Sequence, residues 1–272
     1  MQKWPPVYDR NYHPAPDQDY WFPDIETMDP EEREQTIILP KLRKQLKYAY
    51  AHSGLYQKKW DAAGVDPADI RTLADFEAIP ILTKDELRAD QSEHPPFGSN
   101  LCVSYQELAR VHGTSGTTGK PTAFGISKSD IQRIAETHAR VQWAMGIRPD
   151  DIVFIGSFFS LYWGSWGAML GAERLGATAF PFGAGVPGQT DRAIEWMANV
   201  KPTVFYGAPS YSLYLAERAR ERGFDPARDF ISASCFFPVS LEPGCLQPES
   251  VLKKPTMRFA WTPVPPARCP PG

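Results

Sequence analysis

The chain has 272 residues, 42% hydrophobic and 22% charged side chains, a formal charge of -3 and a pI near 6.0. That is enough chain for one large core or two modest ones, and it offers no basic excess to neutralise a nucleic-acid backbone or an anionic membrane surface. No apolar signal segment follows Met1, and the richest apolar run, Ile152 to Phe159, is too short to span a bilayer, so small-molecule partners in the cytoplasm are the expectation.

The first stretch carries Tyr8, Tyr12, Tyr20, Trp21 and Phe22 without helical or strand periodicity, which predicts an irregular arm whose rings pack on a core formed elsewhere. Asp29, followed by Pro30, Glu31 and Glu32, is a helix start: a cap oxygen, a fixed proline φ and first-turn acids all suit exposed N–H groups. That helix is expected to run to about His52. Thr83 and Glu86 stand at capping-box spacing for another short helix. Residues 1–109 thus read as an arm and an α-rich N-terminal layer.

The segment His112-Gly113-Thr114-Ser115-Gly116-Thr117-Thr118-Gly119-Lys120-Pro121-Thr122 lies between two β-prone runs. Its glycines let backbone N–H groups form a concave nest, its hydroxyls donate further hydrogen bonds, and Lys120 adds a point charge. This is a composition for polyphosphate, although a flexible surface turn has the same ingredients. A G-x-x-x-x-G-K-[ST] loop is excluded, because Thr114 replaces its first glycine and Pro121 its final hydroxyl residue.

From Arg110 onward short β-prone runs alternate with longer helical ones, the pattern of βα units. Strands are predicted over Asp151 to Ile155, Ala177 to Pro181 and Thr203 to Tyr206. Helices are predicted over Asp130 to Met145, Trp163 to Leu175, Asp191 to Ala198 and Ser210 to Arg222, with Gly146, Gly176 and Gly223 where C-terminal cap glycines fall. Residues 110–230 are therefore expected to form an α/β region with a largely parallel sheet. Cys102, Cys235, Cys245 and Cys269 form no Cys-x-x-Cys pair and have no His at ligand spacing, so neither a metal site nor a disulfide framework is expected.

Ser115 to Lys120 matches, residue for residue, the Ser-Gly-Thr-Thr-Gly-Lys phosphate loop of adenylate-forming enzymes. Arg110 to His112, Gly171 to Thr178, Pro209 to Glu217, Trp21 to Met28 and Tyr48 to Tyr56 resemble the phenylacetate-CoA ligase branch of that superfamily. The resemblance covers about residues 20 to 230. It implies a partial large N-terminal domain, and an ATP-dependent activation of an aryl or arylacetic acid to acyl-AMP and then acyl-CoA. ATP, Mg and coenzyme A are the implied co-substrates and cofactors, a small-molecule carboxylic acid is the partner, and a homodimer is left open.

By the same resemblance, Thr114, Ser115, Gly116, Thr117, Thr118, Gly119 and Lys120 would hold the ATP phosphates. Phe159, Tyr162 and Trp163, with Pro209 and Ser210 on a strand-to-helix turn, would line the acid pocket. Trp163 and Trp166 are bulkier than the family pattern, and a plain aromatic core explains the rings as well. Ser210 could equally be only a helix cap. His112 is a candidate for orienting the substrate carboxylate, whereas His52, His94 and His138 show no partner in the sequence.

From Ile231 the chain has neither period nor caps and becomes rich in Pro and Cys. Disorder would account for this. So would a reading-frame slip: read one base earlier, Pro238 to Pro243 permits Ser-Gly-Glu-Pro-Gly-Ala, and Lys253 to Pro271 permits further segments resembling the family's next helix, strand and metal-side motif. Residues 231–272 are therefore expected to be an out-of-frame or disordered tail, with the small C-terminal domain and its catalytic lysine absent and the given chain inactive as a ligase. A shortened ATP-binding or interaction module without ligase chemistry is the alternative function.

Overall fold

The computed structural model describes residues 12–114, 121–184 and 188–230, and the backbone of 234–236. It divides into two compact units, the first made of Met1–Glu136 with Ser160–Trp163, the second of Thr137–Phe159 with Gly164–Gly272.

The first unit begins with the expected arm. Trp21 is fully buried, its indole N–H donating to the Glu136 carboxylate at 2.6 Å, while Tyr20 remains largely exposed. Helix α1 (Pro23–Glu26) precedes α2 (Pro30–Arg33), where Asp29 caps as predicted by accepting from the amides of Glu31 and Glu32. The helix expected through to His52 is interrupted by a π-helical turn at Glu34–Ile38 before resuming as α3 (Leu39–His52). Pro40 accounts for the interruption. It has no N–H and its ring would press on the carbonyl of Thr36, so the ladder widens to a five-residue step just before it, with Leu39 N–H donating to Glu34.

Ser53 caps α4 (Gly54–Ala62), Thr72 and Asp75 form a capping box for α5 (Leu73–Phe76), and Thr83 and Glu86 form the expected one for α6 (Lys84–Glu93). Trp60, Leu46, Ala49 and Ile70 make the core under these helices. Glu86 also pairs with Lys59 of α4. That hydrogen bond, helped by those from Thr83, holds its carboxyl down at about 2, from an ordinary 4.5. A 3-10 turn, Tyr105–Glu107, leads into β1 (Leu108–Gly113), which pairs with β2 (Ala123–Ser127). The pair is antiparallel and separate from the parallel sheet, as befits neighbouring strands joined by a short connection.

Helix α7 (Lys128–Ala144) crosses into the second unit, which contains β3 (Ile152–Gly156), α8 (Trp163–Leu175), β4 (Thr178–Phe180), α9 (Gln189–Val200), β5 (Val204–Gly207), α10 (Pro209–Glu221), α11 (Pro226–Asp229) and β6 (Ser234–Phe236). The four strands are all parallel, in the order β4-β3-β5-β6. The near-continuous apolar runs of β3 and β5 follow from burial of the sheet centre. Phe154 and Phe205, register partners with stacked rings, pack with Ile194, Met197, Leu215 and Phe230 in one core. Gly146, Gly176 and Gly223 all take the positive φ expected of helix-ending glycines. Beyond Phe230, β6 occupies three residues of the segment expected to be irregular, and the rest of 231–272 lies outside the described residues.

Helices α7 and α8 approach closely. A Cβ on Gly171 would stand 2.6 Å from the Cβ of His138 and 2.9 Å from its backbone carbon. Gly171→Ala should therefore lower unfolding stability by about 1–3 kcal/mol, measured by urea denaturation, since backbone rather than a flexible tip must yield. Parent-like stability would refute the contact. For Glu86, a carboxyl held low when folded stabilises fully above its ordinary value of 4.5 and loses that contribution as pH falls towards 2. Glu86→Gln should lower the urea midpoint at neutral pH, and the gap to the parent should close as pH falls through that window. A gap independent of pH would contradict the assignment.

Candidate functional site

The sheet has a switch point between β3 and β5. From β3 the chain turns through α8 to β4 on one side, whereas from β5 it turns through α10 to β6 on the other. In such sheets the diverging connections leave a crevice outside the carboxyl ends of the two strands. Those ends are Gly156 and Gly207, which are register partners. A Cβ on Gly207 would stand 2.8 Å from the Gly156 carbonyl oxygen, and one on Gly156 would stand 2.9 Å from the Phe205 ring. The sequence reading did not single out this pair, although each glycine closes a β-branched and aromatic run.

Two predicted acid-pocket residues, Pro209 and Ser210, leave the sheet at this edge, and Phe159 leaves it after β3. Pro209 is the first residue of α10, with Ala208 as the cap and no side-chain oxygen bonded to the first amides. Ser210 is exposed and inside the helix, so the capping role considered for it is corrected: Pro209 sets the helix start by its fixed φ and shifts the cap to Ala208. Phe159 packs edge-on against Trp166, with ring centroids 5.1 Å apart. Together with Phe158, Met169, Phe182 and Gln189 they line an open, mainly apolar groove of about 380 Å³. An apolar groove with a single amide suits an organic group better than a phosphate.

The segment expected to hold phosphates connects the two antiparallel strands in the sequence. Its stem is closed by a pair of hydrogen bonds, Thr114 N–H to the Thr122 carbonyl and Thr122 N–H to the Thr114 hydroxyl oxygen, each 3.0 Å. Thr114 is thus placed at the stem, where its oxygen accepts from backbone and its own O–H stays available to donate. Ser115, Gly116, Thr117, Thr118, Gly119 and Lys120 lie outside the described residues.

Tyr162 and Trp163 belong to the first unit, beside the end of β1. The carbonyl of Leu161 accepts from Gly113 N–H at 3.2 Å and from His112 Nδ1 at 3.0 Å, and the Trp163 ring meets the His112 ring edge-on with centroids 4.2 Å apart. His112 is 6% exposed. Burial pushes its imidazole below the usual range, against the opposing effect of the Leu161 carbonyl. Tyr162 and Leu161, by contrast, are more than half exposed. The other four histidines have local partners: His13 meets the Trp21 ring edge-on, His52 lies against Tyr48, His94 sits beside the Asp90 carboxylate, and His138 lies against Gly167 and Gly171. Cys102 is a free thiol, pushed up by burial. Among the described residues no group of His, Cys, Asp or Glu is gathered to hold a metal, and no helix is long and apolar enough to cross a membrane.

No protein-family model matches the chain. The phenylacetate-coenzyme A ligase of Thermus thermophilus is 38% identical over 204 residues, which is 75% of this chain and 44% of the relative. The phenylacetate-coenzyme A ligase of Escherichia coli is 38% identical over 192 residues, 70% of this chain and 42% of that protein. A crystal structure of 2-hydroxyisobutyryl-CoA ligase with 2-HIB-AMP and CoA matches with a TM-score of 0.82 at 50% identity, covering 86% of this chain and 49% of that one. The chain spans about half the length of each. Sequence and fold agree that the chain is a phenylacetate-CoA ligase-like member of the adenylate-forming enzymes.

Proposed function

We propose that the chain supplies the ATP-phosphate loop and the acid-binding segments of an AMP-forming acid-CoA ligase. In that reaction a carboxylate oxygen attacks the α-phosphorus of ATP, pyrophosphate leaves, and the sulfur of coenzyme A then displaces AMP from the acyl carbon. The observation that carries the reading is the hairpin stem at Thr114 and Thr122, which holds the ends of a glycine and hydroxyl segment next to the residues expected on the acid side. The task of Thr114 to Lys120 is to hold the phosphates and stabilise charge as pyrophosphate departs, by positioning and electrostatics. Magnesium accompanies ATP in this reading.

For the acid, the aryl or arylacetic reading rests on the rings of Phe159, Tyr162 and Trp163 and on the phenylacetate ligases among the relatives. A second reading, a short branched hydroxy acid, is favoured by a specific observation: Trp163 is already packed against His112 and Trp166 against Phe159, so ring bulk occupies room that an aryl group would need. The 50% identity to a 2-hydroxyisobutyryl-CoA ligase points the same way. The out-of-frame reading of the codons after about Asp229 is kept as part of the proposal, and sequencing that DNA from independent isolates tests it: an uninterrupted frame in all of them would sink it.

Calorimetry on the 272-residue chain tests the rest, using binding because the chain spans about half of its relatives. ATP should bind, and Lys120→Ala should weaken it at least about tenfold, the effect of losing one charged contact to phosphate. Failure of the parent to bind ATP, or an indifferent Lys120→Ala, contradicts the phosphate-loop assignment. With ATP saturating, phenylacetate binding more tightly than 2-hydroxyisobutyrate would support the aryl reading, and the reverse order would support the second. ATP binding without either acid would favour an ATP-binding module without ligase chemistry.

A further inference from the structure

Two consecutive residues of β1 converge on one acceptor. Gly113 N–H and His112 Nδ1 both reach the carbonyl of Leu161, 49 residues further along the chain from His112. A carbonyl oxygen can only accept, so Nδ1 carries the proton. The other nitrogen, Nε2, is buried and meets no hydrogen-bond partner among the described residues. Burial disfavours the charged ring, so the imidazole is neutral, with its donor committed to Leu161. The side chains of Leu161 and Tyr162 are largely exposed and give their segment little apolar anchorage. What fixes the segment is the doubly bonded carbonyl of Leu161 and the contact of Trp163 with the same imidazole. One side chain thus ties the strand leading into the phosphate-loop stem to Leu161 and Trp163.

We propose that His112 is a positioning residue for the acid, acting through its Nδ1 proton to hold Leu161–Trp163 in register with the end of β1. The inference rests on the acid-CoA ligase reading of this region. It assigns His112 no contact with the acid and no proton transfer. Packing alone would ask only for a flat ring of similar size. A hydrogen-bonding role asks for a donor at the Nδ1 position, which the amide nitrogen of Asn can supply, whereas Phe keeps the ring without a donor and Gln extends its amide past that position.

The test is calorimetric titration of the 272-residue parent and of His112→Asn, His112→Gln and His112→Phe, with ATP alone and then with phenylacetate and 2-hydroxyisobutyrate at saturating ATP. Thermal melts of each variant accompany the titrations. ATP affinity should stay within about twofold throughout, since the stem bonds are made by Thr114 and Thr122 and involve no atom of His112. Affinity for whichever acid the parent binds should fall at least about tenfold in the Gln and Phe variants, a loss of about 1.4 kcal/mol, and stay within about threefold in His112→Asn. Parent-like acid binding by His112→Phe would overturn the proposal, and so would a loss in His112→Asn as large as in His112→Gln. An equal loss of ATP and acid affinity with a lowered Tm would also overturn it, by showing a general structural role. A parent that binds neither ligand would refute the ligase reading itself, and the assignment of His112 would fall with it.

Discussion

The pairing of β3 with β5 is the constraint around which the second unit is arranged. Phe154 and Phe205 stack across the pair, and Gly156 and Gly207 close it where no Cβ would fit. The aromatic stack buries apolar surface on which α9 and α10 settle through Ile194, Met197 and Leu215. The two glycines leave the carboxyl edge free of side chains at the point where the connections diverge. A stable core and an accessible sheet edge therefore come from the same two strands. Phe159, Pro209 and Ser210, which we propose for the acid pocket, follow these strand ends because the connections start there.

The first unit solves a different problem, that of holding a glycine-rich segment by its ends. Its stem is a hairpin whose last rungs are made by Thr114 and Thr122, backed by Gln91, whose side-chain amide exchanges two hydrogen bonds with the backbone of Ala123. Satisfying buried backbone groups with fixed partners restricts the stem at a net gain of about 1 kcal/mol per bond. His112 extends this fixation from the stem to Leu161 and Trp163.

Much of this architecture was legible in the sequence because local chemistry and tertiary packing agree. The Trp163 to Leu175 helix, the caps at Asp29 and Thr83 and the three helix-ending glycines occur as the residues dictate. The burial of Trp21 was legible from an aromatic run without period. What escaped was long-range or set by competition. The π-helical turn arises from Pro40 acting on a carbonyl four residues back. The Gly156 and Gly207 pair requires knowing that β3 and β5 are neighbours, which the intervening β4 conceals. The engagement of His112 Nδ1 by a carbonyl 49 residues away has no local signature at all, so its reading as a group that orients the substrate rested on proximity in sequence to the loop.

Thr114 to Lys120 as the phosphate-holding segment is the proposal on which the functional account turns. Hydrogen–deuterium exchange of the 272-residue chain with and without ATP tests it most directly. The account predicts slowed exchange on ATP addition concentrated in peptides covering residues 113–122, because bound phosphates would engage the amides of that segment. Protection confined to other regions, or no ATP-dependent protection under conditions where ATP demonstrably binds, would contradict it.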